Sequence, residues 1–208
     1  MPKTLLPPSK IKLMNYYRDQ VTQKSWALLQ NLARKYKFVL IGGWAVWLYT
    51  HGLKSKDIDI IVNFDQLNKL RQDFDLIKND RLKKYEIAQD EIQIDIYVPH
   101  YSQLGIDISK IISQSVGVGG FTIPNPETLV VLKQVAYSTR RGSSKGHKDL
   151  VDIIGLLNLP QFDWKKYSGM DQSASLQEII SSQSSLPELD LNSHKYSRLK
   201  KLWLKKLC

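Results

Sequence analysis

Two carboxylates one residue apart, Asp57 and Asp59, stand at the head of an apolar, β-branched run, Asp57-Ile58-Asp59-Ile60-Ile61-Val62. In a strand, residues i and i+2 share a face. Both acids therefore point one way, and Ile58 and Ile60 the other. Side by side on an apolar strand they repel and are poorly solvated. A divalent cation relieves both problems, and Mg²⁺ is commonly held by one or two carboxylates completed by substrate phosphates. A further acid, Asp95, lies in a second strand-like run, where Ile92, Ile94 and Ile96 alternate with Gln93, Asp95 and Tyr97. That spacing puts Asp95 on the polar face of an otherwise apolar strand.

The elements that must position these acids come just before them. Phe38-Val39-Leu40-Ile41 reads as a buried strand. It stops at Gly42-Gly43. Trp44 to Tyr49 is then apolar nearly throughout, as a short buried helix would be, and His51-Gly52 ends it with glycine as the expected cap. Glycines let a phosphate approach the backbone closely, and a following helix N-terminus offers free N–H groups and a positive dipole. A tight strand-to-helix turn without a ligand is the alternative for the same pair.

Strand, Gly42-Gly43, helix, then Asp57-x-Asp59 on a second strand resembles the nucleotidyltransferase fold of the polymerase-β type. The branch it is most similar to is the minimal nucleotidyltransferases, including AbiEii/AbiGii-type toxins of toxin–antitoxin systems. The resemblance covers roughly residues 35–158 and implies an α/β (α+β) fold, a mixed β-sheet flanked by helices with a C-terminal helical part. It implies a metal-dependent enzyme that moves a nucleoside monophosphate from an NTP to an acceptor hydroxyl. Phosphoryl transfer of this kind needs positioning and charge neutralisation more than covalent help. Two metal ions ~3.5–4 Å apart can stabilise the attacking and leaving oxygens together. By resemblance, Asp57 and Asp59 bind Mg²⁺ or Mn²⁺, and Asp95 is the third ligand and helps activate the acceptor. Many members carry Gly-Ser where this chain has Gly43-Trp44, which leaves the triphosphate to backbone N–H groups and Ser55. Relatives often have Arg shortly before Asp-x-Asp. Here Leu53 stands near that place, with Lys54 and Lys56 as substitutes.

Pro126-Glu127-Thr128-Leu129 through Lys133, then Arg140, then Lys148-Asp149-Leu150-Val151-Asp152, resembles the second half of the AbiEii-type domain. There, a helical lysine and a Lys-Asp-x-x-Asp helix close the nucleotide site, which implies Lys133 and Lys148 as triphosphate contacts. A solvated helix face is the alternative for Lys133, and i,i+3 surface acids for Asp149 and Asp152. The stretch from Lys195 to Lys206 has six basic residues and no acids, with Tyr196, Leu199, Trp203 and Leu207 as an apolar stripe. It suits an RNA-contacting helix, a docking helix with a soluble outer face, or a membrane-surface helix.

Residues 1–10 read as an extended arm, and Ile11 to Tyr36 as a helix with a stripe of Val21, Trp26, Leu28, Leu29 and Leu32. A helix from Asn63 onward places Leu67, Leu70, Phe74 and Ile77 at helical spacing, and Tyr85 to Ala88 pairs with the Asp95 strand. Leu104 to Gly120 fits either strand or short helix, followed by a strand Phe121-Thr122-Ile123. Asn125-Pro126-Glu127 is a helix start with N-cap, N1 proline and first-turn acid. The basic loop Arg141 to His147 leads into a helix from Lys148 to Leu157. Short helices follow at Trp164 to Met170 and Ser173 to Ile180, and Ser181 to Asn192 reads as a linker. The division expected is a nucleotidyltransferase core with its N-terminal helix over 1–124 and a helical region over 125–208.

Composition narrows the function classes. The 208 residues are 42% hydrophobic and 24% charged, ordinary for a globular protein with a real core. The single cysteine, Cys208, excludes an intrachain disulfide and a cysteine-based zinc site. Met1 to Pro8 has no long apolar core, and no apolar run approaches the ~20 residues of a membrane span, so a cytoplasmic protein is expected. The net charge of +10 points to an anionic partner, RNA or tRNA, as acceptor, with solubility alone as the alternative for the same charge. It counts against an antibiotic nucleotidyltransferase, whose cationic substrate needs acidic surroundings. A weakly catalytic binding module acting through a protein partner, such as a cognate antitoxin, is the other class. There is no P-loop motif, Gly117-x-Gly119-Gly120 does not open a predicted helix, and the four histidines show no ligand spacing.

Overall fold

The computed structural model describes residues 8–207, apart from 171, 172, 184, 187, 188 and 190. The extended arm expected at the N-terminus falls mostly on residues 1–7, outside the described residues, as does Cys208. Helix α1 (Pro8–Lys35) leads into strand β1 (Val39–Ile41), which passes directly into helix α2 (Gly42–Thr50). Strand β2 (Ile58–Ile61), helix α3 (Phe64–Asp73), and strands β3 (Ile77–Asn79), β4 (Lys84–Gln89) and β5 (Ile92–Tyr97) follow. Then come helix α4 (Ile108–Ser113) and strands β6 (Ser115–Val118) and β7 (Phe121–Pro124). Helices α5 (Pro126–Arg140), α6 (Ser144–Leu157), α7 (Trp164–Ser168), α8 (Ser173–Ser181) and α9 (Ser193–Leu207) complete the chain.

The strands form one mixed sheet in the order β3-β4-β5-β2-β1-β7-β6. β1 runs antiparallel to β2 and parallel to β7, and β2 runs parallel to β5. This is the α/β fold with a mixed sheet and flanking helices that the sequence predicts. Alternation along the central strands sorts the side chains. Leu40, Ile58, Ile60, Ile94 and Ile96 enter the main core, whereas Val39, Ile41 and Ile61 form a smaller cluster with Ile108 and Ile111 of α4. Asp59 and Asp95 occupy the same alternation as Ile61 and Tyr97, on the face away from the main core. That core continues past residue 124, joining α1, α2 and the sheet to α5, α6, Tyr196 and Trp203.

Several elements differ from expectation for physical reasons. α3 stops at Asp73 because Phe74 is extended (φ −136°, ψ 151°), so Ile77 lies in β3 rather than on a helical face. Leu104 to Gly120 is both of its alternatives in turn, α4 and then β6. The basic loop after α5 is shorter than predicted, because the Ser143 hydroxyl caps α6 by accepting from Gly146 N–H at 3.0 Å. α2 ends on His51, itself left-handed at φ 49°, rather than on Gly52. In the segment read as a linker, Leu186 and Leu191 are buried and bridge one another. The Asn125 cap is as predicted, its side chain accepting from Thr128 N–H at 2.9 Å.

Candidate active site

The parallel pairing of β2 with β5 sets Asp59 directly beside Asp95. On the other side, Ile41 of β1 faces Asp59 in register. The next residue, Gly42, therefore turns over the Asp59 carboxylate. It does so at φ +68°, and a Cβ there would lie 2.1 Å from Asp59 Oδ2. Only glycine satisfies both the left-handed backbone and this close approach. α2 is then pinned from behind: Trp44 donates its indole N–H to Ser25 Oγ of α1 at 2.9 Å and packs among Trp26 and Trp47. Trp44 is thus a core anchor.

The first turn of α2 has no side-chain cap, so its leading N–H groups remain available. Beside it, a Cβ on Gly43 would lie 2.8 Å from Ser55 Oγ and 3.6 Å from Lys148 Nζ. The structure thus brings Gly43, Ser55 and Lys148 together at the N-terminal end of α2. Lys148 donates to the Lys54 carbonyl at 3.2 Å and has no carboxylate within ion-pair distance among the described residues. Burial pushes its pKa below the ordinary lysine value, with Asp152 acting against that shift. An ammonium so placed is short of negative charge.

The opposite wall is α5 and α6. Lys133 is not a solvated helix residue. It is buried, 3.2 Å from Asp149 Oδ1 and 2.6 Å from Asp152 Oδ2. Burial alone would lower its pKa, but Asp152 and Asp149 outweigh it and hold the ammonium charged. Arg140 grips Asp149 through both Nε and Nη2. Asp149 and Asp152 are buried too, so the surface alternative for them does not hold. These residues clamp α5 to α6, and Lys133 and Arg140 also line the cleft above Asp59.

That cleft has a volume of about 440 Å³. Gly42, Asp59, Asp95, Tyr97, Lys84 and Lys145 are among its lining residues. Asp57 sits at its lip, with Lys145 Nζ 3.9 Å away. Asp59 is half-buried, and no described residue donates it a hydrogen bond or an ion pair. Burial raises its pKa to about 6, reinforced by Asp95 and opposed by Lys133. Asp95 differs: Lys84 Nζ lies 2.6 Å from its Oδ2, and the Gln93 amide donates to its Oδ1 at 3.1 Å.

Lys84 and Tyr97 are the site residues that the sequence did not reveal. Tyr97 follows Asp95 by two positions on the same strand face, which was a usable signal. Its phenol is pushed well above the ordinary range by burial, then by Asp59 and Asp95. Lys84 enters only through the pairing of β4 with β5, and no local pattern marks it.

The donor set can be tested against a divalent cation. Among the described residues, no three His, Cys, Asp or Glu side chains form a ready-made cage. Asp59 is a desolvated carboxylate with no cation at contact distance among the described residues, and Asp57 lies beside it. The two fit the commoner Mg²⁺ arrangement, in which one or two carboxylates bind and substrate phosphates complete the shell.

No family model matches the chain, and no curated protein matches it. Among solved structures, an antigenic nucleotidyltransferase-like protein from Paracoccidioides brasiliensis is similar, at 15% identity and TM-score 0.47 over 84% of this chain and 94% of that one. JHP933 from Helicobacter pylori is similar at 17% identity and TM-score 0.44, over 98% of this chain and 95% of that one. The Megavirus polyadenylate synthase is similar at 12% identity and TM-score 0.48, over 89% of this chain and 47% of that one.

Proposed function

We propose that the cleft transfers a nucleoside monophosphate from an NTP to an acceptor hydroxyl and releases pyrophosphate. One observation supports this reading above the others. A carboxylate at Asp59 that is unpaired among the described residues and an uncapped helix N-terminus, with Lys148 beside it, adjoin, separated only by the backbone of Gly42-Gly43. The first attracts a cation and the second attracts phosphate. A metal–triphosphate complex carries both.

In this reading Asp57 and Asp59 hold Mg²⁺ or Mn²⁺. The cation, when bound, neutralises charge on the α-phosphate and the departing pyrophosphate. The N–H groups at the start of α2, Ser55 Oγ and Lys148 Nζ take the β- and γ-phosphate oxygens. Lys133 and Arg140, held by Asp149 and Asp152, line the opposite wall with N–H donors fixed in place. The acceptor oxygen attacks the α-phosphorus, one P–O bond forms, and the bond to the β-phosphate oxygen breaks. Pyrophosphate leaves with that electron pair. Asp95 orients the attacking hydroxyl, whose proton passes to water.

RNA, tRNA included, is the acceptor class that charge favours. Lys145 and Arg141 lie exposed at the α5–α6 turn beside the cleft, and the chain carries a net +10. A toxin role, with an antitoxin as protein partner, comes from the sequence resemblance alone. Rescue of growth by a neighbouring gene product would support it.

The test is to incubate the protein with each of the four NTPs labelled at the α-phosphate, Mg²⁺ or Mn²⁺, and total RNA, then locate the label. Label in RNA that is absent with Asp57→Ala and Asp59→Ala supports the reading. Label in neither RNA, protein nor small molecule overturns it.

A further inference from the structure

Asp59 and Asp95 are neighbours in register on parallel strands, yet the fold treats them oppositely. Among the described residues, Asp59 has no partner. Asp95 has both oxygens engaged, one by Lys84 at 2.6 Å and the other by Gln93 at 3.1 Å. Lys84 is itself held in place. It is only 8% exposed, and Glu86, directly across from Asp95 on β4, binds its ammonium at 2.9 Å. Asn79 of β3 in turn donates to Glu86 Oε1 at 3.1 Å. These linked side chains span three strands and fix one ammonium between two carboxylates, Glu86 and Asp95.

A cation shared by Asp57, Asp59 and Asp95 would need an Asp95 oxygen, and the inner face of that carboxylate already meets an ammonium. Bringing a divalent ion there would set it beside Lys84 in a desolvated cleft, where like charges repel strongly. On the reading proposed above, we infer that Lys84 takes the place of the second metal ion: the site binds a single divalent cation, on the Asp57–Asp59 side. Lys84 is then a positioning residue, supplying a fixed positive charge next to the acceptor through Asp95.

The stoichiometry of Mn²⁺ tests this directly. The 208-residue chain is saturated with a mixture of the four NTP analogues bearing a methylene bridge between the α- and β-phosphates. Protein-bound Mn²⁺ is then counted by electron paramagnetic resonance. Wild type is expected to hold one Mn²⁺ per chain. Lys84→Met and Lys84→Gln, checked for folding by circular dichroism, are expected to hold two, because Asp95 is freed. Lys84→Arg keeps the charge and is expected to hold one. Two Mn²⁺ in wild type, or one in both neutral variants, overturns the inference while leaving nucleotidyl transfer intact. No bound Mn²⁺ in wild type overturns both.

Discussion

Two groups of charges among the described residues, one buried and one half-buried, are built differently. Between α5 and α6, the cations Lys133 and Arg140 meet the acids Asp149 and Asp152 at contact distance. That group is balanced within itself. Across β2 and β5, Asp59 and Asp95 face the cleft, and Asp57 stands just before β2. Among the described residues, only Asp95 of these three has a close cation, at 2.6 Å, while Lys145 stands 3.9 Å from Asp57. The first group resembles a bolt and the second a socket. Desolvating a charge is costly unless it is paired. A fold that leaves Asp59 unpaired among the described residues therefore carries a penalty, which an external cation can remove.

The contrast is broken most severely at the socket. Asp59→Ala or Asp57→Ala should lower nucleotidyl transfer by at least the ~10²–10³-fold that follows removal of one group stabilising transition-state charge. Circular dichroism should show the fold retained, because the removed charges repel each other. The balanced group should behave in the opposite way. Asp152→Ala leaves Lys133 and Arg140 to share Asp149, one buried positive charge in excess, and stability should fall by about 3–5 kcal/mol in denaturant titration. A variant at Asp152 as stable as wild type would show that the two groups do not differ as argued.

Smaller effects sharpen the comparison. Gly43→Ala puts a methyl 2.8 Å from Ser55 Oγ at the place assigned to phosphate. Nucleotide affinity should drop about tenfold, or ~1.4 kcal/mol, in calorimetry. The pH dependence of Asp59 is subtler still. Its folded-state pKa of about 6 lies above the ordinary 3.8, so the folded form holds the proton more tightly, and the penalty builds as pH rises from 3.8 and is complete above about 6. Asp59→Asn should be more stable than wild type at pH 8 by about 1 kcal/mol, after allowing for screening at the cleft mouth. The gap should close as pH falls through 6 towards 4, and saturating Mg²⁺ should also close it at pH 8. Melting temperatures across that range provide the check.

The smallest effect concerns α9. Its Tyr196 and Trp203 are buried and its Lys206 lies over the Trp164 ring, so it is a docked helix with a basic outer face. Deleting it would expose core. Replacing the exposed Lys201 and Lys205 with Ser isolates its charge. If they touch RNA, the salt slope of binding should fall by ~0.7–0.9 for each phosphate left unneutralised. An unchanged slope would confine RNA to the cleft mouth.

Features written in consecutive residues were legible in advance. Ile41-Gly42-Gly43 declares a strand end and a turn through local geometry alone, and Asp59 its place in a strand, although β2 starts at Ile58 and leaves Asp57 outside it. The Asn125-Pro126 helix start is equally local. What stayed hidden depends on pairing between distant segments. Lys84 matters because β4 lies beside β5, and nothing near Lys84 says so. Ile77 continued the spacing of Leu67 and Leu70, and only the extended backbone at Phe74 reveals that the helix has already ended. Lys133 looked like one of many helical lysines, because its burial is imposed by α6 packing against it.

The close approach of Gly42 to the Asp59 carboxylate carries a thermodynamic consequence. Since the turn that presents α2 rests on that carboxylate, an ion seated on Asp59 and a phosphate seated on α2 share one piece of backbone. Their binding free energies should not be independent. If Mn²⁺ tightens nucleotide binding by some factor, the nucleotide must tighten Mn²⁺ binding by the same factor. Gly42→Ala, which wedges a methyl between turn and carboxylate, should pull this factor towards one.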